Sequence, residues 1–174
     1  VELVVPVDAD VIAVDLDGTL LDGETYGFAA ARPALDALQQ AGVPLLLCSS
    51  KTRAEMEPLA AAIGVRGPLV VENGGAIVEP SGAVLVLGAT RDRLLQELPA
   101  VAREAGVRVR SFAEMSVAEV ASLTGLTPEG AGLAMRRGYD EPFVVEDPPG
   151  PDPEVDARLD RAARGRGLRV TRGG

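Results

Sequence analysis

The first half of the chain alternates short, continuous apolar runs with longer segments in which apolar residues recur every three or four positions. Continuous apolar runs bounded by turn residues are typical of strands buried on both faces of a parallel sheet. We therefore predict three such strands, at Val11–Val14, Val43–Cys48 and Leu69–Val71. The amphipathic segments between them predict helices from about Arg32 to Gly42 and from Thr52 to Gly64.

The second half has shorter and more mixed elements, which predict an α+β region. They follow a hairpin arm at Ala76–Val78 that returns from the third strand. They are a strand at Val84–Leu87, a helix beginning at Thr90, a half-exposed strand around 107–111, helices capped by Ser116 and Thr127, a strand at Phe143–Glu146, a last helix, and a strand at Leu168–Thr171. The predicted fold class is α/β, with a Rossmann-like parallel sheet core, incomplete in this chain, and an inserted α+β cap domain. We assign residues 1–82 to the amino-terminal half of the core, 83–168 to the cap, and 169–174 to the start of the return to the core.

Composition narrows the chemistry that the chain can perform. The net charge of −9 and the five aromatic residues argue against nucleic-acid binding. No run approaches the ~20 apolar residues of a membrane span, so we expect no membrane segment. The chain has no histidine and one cysteine, so a bound metal should be a hard cation held by carboxylates, with Asp or Glu as acid and base. The single cysteine excludes internal disulfides, and together with the absence of a signal peptide it predicts a cytoplasmic protein. The sequence leaves the oligomeric state unknown.

The strongest chemical signal is the segment VIAVDLDGTLLD. Asp15 and Asp17 follow the first predicted strand, so they should lie at the carboxyl edge of the sheet, where open α/β folds bind ligands. Their spacing of two directs both side chains to the same side of the strand, and two close carboxylates favour a divalent cation. The alternative interpretation is a pair of turn-forming aspartates that end a strand. A calcium loop of the EF-hand type is excluded because Gly18 and the following residues do not fit its ligand spacing.

This segment resembles the DxDGT motif of the haloacid-dehalogenase superfamily of phosphotransferases. Four further segments, CSSKTRAEME, VENGGAI, EVASLTGLTPE and RGYDEPF, resemble the mannosyl-3-phosphoglycerate phosphatases within that superfamily. The resemblance implies a Mg²⁺-dependent phosphatase that hydrolyses a small phosphorylated sugar, mannosyl-3-phosphoglycerate, in the synthesis of the solute mannosylglycerate.

The resemblance also implies roles for individual residues. Asp15 would be the nucleophile that forms an aspartyl phosphate, and Asp17 the general acid and base. The Asp15 carboxylate and the Asp17 backbone carbonyl would hold Mg²⁺. The hydroxyl of Ser49 would bind the phosphoryl group. The remaining substrate- or phosphate-binding candidates are Ser50, Lys51, Asn73 and Arg137.

Each of these candidates also has a purely structural interpretation. Ser49 fits a helix cap, Asn73 a hairpin turn, and Arg137 a surface arginine. Lys51 is the only lysine among 17 basic residues and stands just before a helix, where a cation opposes the helix dipole. We therefore expect an anion beside Lys51, either neighbouring carboxylates or a substrate phosphate, unless its ammonium is simply solvent-exposed.

The superfamily's third and fourth motifs, a basic residue and an acidic pair, are not recognisable in this chain. The sequence therefore resembles an amino-terminal portion of such an enzyme, and we expect these 174 residues alone to be unstable or inactive. Alternatives are a phosphatase or phosphomutase for another sugar phosphate, an inactive truncated fragment, or a non-catalytic binding module. The gene sequence beyond Gly174 distinguishes the module from the enzyme.

Overall fold

The chain forms two compact units, Val1–Gly88 and Ala89–Gly174. The computed structural model describes residues 11–23, 25–147 and 150–172. Every helix within these ranges is too short or too polar to cross a membrane.

The first unit is built on a five-stranded sheet with the strand order β1-β2-β3-β4-β5. Its described strands and α-helices are β1 (Ile12–Asp15), α1 (Arg32–Gln40), β2 (Leu45–Cys48), α2 (Arg53–Ile63), β3 (Leu69–Val71), β4 (Ala76–Val78) and β5 (Val84–Val86). The first three strands are parallel, whereas β4 and β5 return antiparallel to their neighbours. The predicted α/β fold with a parallel core is confirmed, and so is the hairpin arm that follows the third strand.

The predicted domain boundary after residue 82 falls in the turn between β4 and β5. Val84 pairs with Val78, and Val86 pairs with Ala76, so β5 belongs to the core sheet. The first unit accordingly continues to Gly88. The predicted cap included β5, because an apolar pattern does not show with which strand β5 forms its main-chain hydrogen bonds.

The start of α2 is held by a reciprocal pair of hydrogen bonds, as its sequence predicts. The Thr52 hydroxyl accepts a bond from the Glu55 N–H at 3.2 Å, and the Glu55 carboxylate accepts one from the Thr52 N–H at 2.8 Å. Thr52 is fully buried, and the helix continues across Pro58 to end at Gly64, whose φ is 89°. This cap fixes where the segment between β2 and α2 lies at the edge of the sheet.

The second unit combines helices with a two-stranded antiparallel sheet, β6-β7. Its described strands and α-helices are α3 (Arg91–Ala105), β6 (Arg108–Ser111), α4 (Val117–Thr124), α5 (Pro128–Ala134), β7 (Phe143–Asp147) and α6 (Pro153–Arg164). Small and branched side chains on α3 and α6, including Val101, Val155 and Leu159, form one core cluster. A second cluster gathers Val120 and Ala131 around Phe112 and Met115.

The predicted strand at Leu168–Thr171 is wrong, because no strand is present at these residues. The N–H of Leu168 donates to the carbonyl of Ala163, and the N–H of Val170 donates to the carboxylate of Asp160. Leu168 and Val170 pack against the cluster of α3 and α6. The main-chain N–H groups of Leu168 and Val170 therefore bind to α6, and their side chains pack on the cluster of α3 and α6, so neither is available to a sheet. Residues 173 and 174 of the predicted return segment lie outside the described residues.

The capping box at the start of α4 strongly lowers the pKa of its carboxylate, Glu119. The Ser116 N–H and hydroxyl both donate to Glu119 at 2.8 Å, and Arg110 donates to its other oxygen at 2.8 Å. These bonds, the backbone bond first, lower the pKa of Glu119 from 4.5 to about 2. Because the folded protein prefers the ionised carboxylate, this contribution to stability is complete above pH 4.5.

We predict that Glu119→Gln makes the stability of the protein less dependent on acid. The wild type should lose its advantage over the variant as the pH falls from 4.5 towards 2, where Glu119 becomes protonated in the folded state too. Urea unfolding of both proteins across this pH range measures the difference. A difference in unfolding free energy that stays constant from pH 6 to pH 2 would contradict the assignment.

Candidate active site

The three parallel strands end together at one edge of the sheet, and this edge collects the predicted site residues. Asp15 is the last residue of β1 and pairs with Cys48, the last residue of β2. The chain continues the ladder, since the Leu16 N–H donates to the Cys48 carbonyl at 3.2 Å and the Ser49 N–H to the Val70 carbonyl at 3.0 Å. Asp15 and Ser49 therefore follow neighbouring strands on the same edge.

A tight turn after β1 exposes both aspartates. Leu16 is fully buried, whereas Asp15 and Asp17 on either side of it are exposed. The turn is closed by the Leu21 N–H, which donates to the Leu16 carbonyl at 2.8 Å. Gly18 has φ +70°, a conformation that an L side chain rarely adopts, which accounts for glycine at this position.

Asp17 is bound by Ser49 and Lys51, two of the predicted site residues. The Ser49 hydroxyl donates to Asp17 Oδ2 at 3.2 Å, and the Lys51 ammonium forms a salt bridge with Asp17 Oδ1. The same hydroxyl accepts a bond from the Lys51 N–H at 3.1 Å. Ser49 is buried and orders both neighbours, while the Lys51 side chain remains 19% exposed. The anion expected beside the only lysine is therefore Asp17.

The turn after β3 is fastened to this group through the backbone. The Asn73 N–H donates to the Ser49 carbonyl at 3.2 Å, and the Glu72 N–H donates to the Lys51 carbonyl at 3.0 Å. Glu72 and Asn73 have φ values of 51° and 58°, in the left-handed region. The segment forms the predicted hairpin into β4 and also brings Asn73 to the same edge as Ser49, so its two interpretations are compatible.

The sequence reasoning missed Tyr26 at this edge, and it placed Glu72 here without predicting that Glu72 is buried. Tyr26 places its ring centroid 5.3 Å from the ammonium of Lys51. Glu72 buries its carboxylate, with 2% of the residue exposed. A tyrosine shortly after the two aspartates was the one available signal for Tyr26, whereas no spacing rule marks Glu72 as buried.

Cys48 lies beside Asp15 but is not prepared as a nucleophile. Burial, followed by the negative charge of Asp15, raises the pKa of its thiol above the ordinary value of 9.0. The thiol is therefore protonated at neutral pH, and Asp15 is the exposed nucleophilic candidate on this pair of strands.

The other two predicted residues, Ser50 and Arg137, have different surroundings. Ser50 is exposed and lies between Ser49 and Lys51 in the chain. Arg137 lies in the second unit, where its guanidinium pairs with Asp140 and donates to the Ala134 carbonyl at 3.3 Å. Its side chain is only 8% exposed, so much of its hydrogen-bonding capacity is used within that unit.

The oxygen ligands at this edge are compatible with Mg²⁺. Within the described ranges, no group of three or more His, Cys, Asp or Glu residues is arranged to hold a metal ion. Mg²⁺, however, is usually bound by one or two carboxylates together with waters and substrate phosphates. Asp15 and Asp17 provide a donor set of this size.

Comparisons with known proteins agree with the fold and extend over nearly the whole chain. The family model of haloacid dehalogenase-like hydrolases matches residues 12–118. Two curated relatives are named glucosyl-3-phosphoglycerate/mannosyl-3-phosphoglycerate phosphatase. The one from Methanococcoides burtonii is 35% identical and the one from Persephonella marina 32%, each over 94% of this chain. The chain spans 64% of the length of these relatives.

A solved structure shows the same fold at lower identity. The crystal structure of a Thermoplasma acidophilum protein matches with a TM-score of 0.62 and 20% identity, over 95% of this chain and 61% of that one.

We predict that Ser49→Ala destabilises the protein by about 1–3 kcal/mol, because the partly buried N–H of Lys51 and the Asp17 carboxylate each lose a hydrogen bond. Ser122→Ala removes the same atom from an exposed position on α4 and should change the unfolding free energy by no more than about 0.5 kcal/mol. Denaturant unfolding of both variants measures the difference. Equal losses would contradict the ordering role of the Ser49 hydroxyl.

Proposed function

This chain belongs to the haloacid dehalogenase-like hydrolase family, and from that premise we propose that it forms part of a phosphatase acting on mannosyl-3-phosphoglycerate. The observation that carries this proposal is the cluster at the carboxyl edge of the parallel sheet. There, an exposed aspartate, Asp15, stands beside a second, Asp17, whose carboxylate is oriented by Ser49 and Lys51.

Asp15 is the nucleophile of the proposed reaction. One of its carboxylate oxygens attacks the phosphorus, a new O–P bond forms, and the bond between phosphorus and the glycerate oxygen breaks. The product of this step is an aspartyl phosphate and a free alcohol. The exposure of Asp15 at the end of β1 supports this role, because a nucleophile must meet the phosphorus directly.

Asp17 moves the protons of both half-reactions. It donates a proton to the departing glycerate oxygen, and then accepts one from the water that attacks the aspartyl phosphate. That water forms the new O–P bond as the Asp15–phosphate bond breaks, which releases inorganic phosphate and restores Asp15. The contacts of Ser49 and Lys51 support this role by holding the Asp17 carboxylate in one place.

The cofactor of the proposed reaction is Mg²⁺, held by the Asp15 carboxylate and the Asp17 backbone carbonyl. When bound there, it would neutralise negative charge between the nucleophile and the phosphate. Lys51 adds a positive charge in a chain whose net charge is −9. Ser49, Ser50 and Asn73 offer further hydroxyl and amide groups near the phosphate position.

The substrate assignment rests on the relatives, whose name includes both a mannosyl and a glucosyl phosphoglycerate. Glucosyl-3-phosphoglycerate is therefore the second candidate. We propose Arg137 as a contact to the glycerate carboxylate, since a guanidinium matches a planar carboxylate. In that case a carboxylate of the substrate would compete with Asp140 for the guanidinium.

We predict that Asp15→Asn lowers kcat by at least about a thousandfold, because the amide cannot form the covalent intermediate. Asp36→Asn, on the exposed side of α1, is the matched control and should retain activity. Phosphate release by the complete gene product measures both variants, and acid-quenched protein should carry labelled phosphate only when Asp15 is present. Substantial turnover by Asp15→Asn would refute the covalent mechanism.

We further predict that Asp17→Asn is more damaging for a substrate with a poor leaving group. Mannosyl-3-phosphoglycerate needs a proton on its departing alcohol, whereas p-nitrophenyl phosphate does not. A burst of p-nitrophenol followed by slow turnover is therefore expected from the variant. Loss of the burst would show that Asp17 is needed for more than proton transfer. The same assay with and without Mg²⁺, and with a chelator, tests the metal requirement. A comparison of mannosyl-3-phosphoglycerate, glucosyl-3-phosphoglycerate and unrelated sugar phosphates tests the substrate assignment.

A further inference from the structure

Tyr26 is a large aromatic residue exposed beside the charged group of the site. Its exposed fraction is 56%, and it is one of only five aromatic residues in the chain. The centroid of its ring lies 5.3 Å from Lys51 Nζ, within the range in which the face of an aromatic ring attracts a cation.

The loop that carries Tyr26 holds it in an uncommon backbone conformation. The φ of Tyr26 is 55°, although a residue with a bulky side chain disfavours this region. Two backbone bonds close the loop, from the Tyr26 N–H to the Asp22 carbonyl at 2.9 Å and from the Asp22 N–H to the Gly27 carbonyl at 2.8 Å. The Asp22 carboxylate adds a bond from the Thr25 N–H at 2.8 Å. The surrounding bonds therefore maintain a strained residue whose side chain lies over Lys51.

Lys51 has contacts of two different kinds. Its ammonium forms a salt bridge with Asp17 and also contacts the face of the Tyr26 ring. A lysine side chain has four rotatable bonds, and a single partner would leave the ammonium several positions to occupy. The second contact reduces that freedom, since both partners must be satisfied together.

We propose that Tyr26 is a positioning residue, whose aromatic face holds the ammonium of Lys51 beside Asp17 so that the positive charge meets the phosphate group entering the site. This inference rests on the proposed function, in which phosphate binds at the same edge of the sheet. It assigns Tyr26 an effect that passes through Lys51 and needs no contact between the ring and the substrate.

A double-mutant cycle on phosphate affinity tests this dependence. The variants are Tyr26→Leu, Tyr26→Phe, Lys51→Met and the double variant Tyr26→Leu/Lys51→Met, in the complete gene product with Mg²⁺ present. The probe is inorganic phosphate, titrated by calorimetry, with KM and kcat for p-nitrophenyl phosphate measured in parallel. Phe28→Leu is the matched control, because its ring lies 4.9 Å from Arg32 and makes the same type of contact with a different cation.

The expected result is a rise in the phosphate Kd of about two- to fivefold for Tyr26→Leu, which is the size of an exposed cation–π contact. Tyr26→Phe should restore most of the affinity, because it keeps the aromatic face. KM should rise by a similar factor with a smaller change in kcat. In the Lys51→Met background, Tyr26→Leu should have almost no further effect, and Phe28→Leu should have none.

Three results would overturn the inference. They are an equal loss from Tyr26→Leu with and without Lys51, no loss from Tyr26→Leu, or no phosphate binding by the wild type. The proposed function fails separately. If the variants show the coupling but the wild type hydrolyses no phosphomonoester, the positioning role stands and the phosphatase assignment falls. If the wild type hydrolyses phosphomonoesters but the variants show no coupling, the phosphatase assignment stands and the positioning role falls.

Discussion

The parallel pairing of β1, β2 and β3 is the constraint on which the candidate site depends. Parallel strands end at the same edge, so the residues that follow them meet there although they are far apart in the chain. The register places Asp15 opposite Cys48, and the next hydrogen bonds tie Ser49 to β3. From Ser49, one hydroxyl reaches both Asp17 and the N–H of Lys51. A shift of register by one residue would turn these side chains to the other face of the sheet.

Backbone strain is concentrated at this same edge. Among the described residues, the non-glycine residues with positive φ are Tyr26, Glu72 and Asn73. All three lie next to Lys51 or donate to the segment of Ser49 and Lys51. Such conformations persist only where surrounding hydrogen bonds maintain them, and they are found most often at functional sites. The hairpin of β3 and β4 and the closed loop after β1 supply those bonds, so the ordinary parts of the fold stabilise the unusual ones.

The charge pattern also has a local explanation. The proposed reaction would need positive charge beside Asp15 and Asp17, and Lys51 pairs with Asp17 in a chain whose net charge is −9. A compact ammonium on a flexible stem can face a carboxylate and an aromatic ring together, whereas a guanidinium presents a planar fork that matches the geometry of a carboxylate. Arg137 illustrates the contrast, since its guanidinium is matched to the carboxylate of Asp140 in the second unit.

The sequence by itself determined the class of the fold and the first three strands, and it predicts the two aspartates as the chemical centre. Apolar runs, helix caps and the DxDGT spacing are local patterns, so they can be recognised without knowing which distant residues they contact. Only the tertiary structure decided that β5 joins the core sheet, that Leu168–Thr171 packs on α6 without forming a strand, and that Asp17 is the anion beside Lys51. It also placed the ring of Tyr26 beside the ammonium of Lys51. These outcomes depend on which distant groups supply hydrogen bonds and apolar surface, and no spacing along the chain encodes that choice.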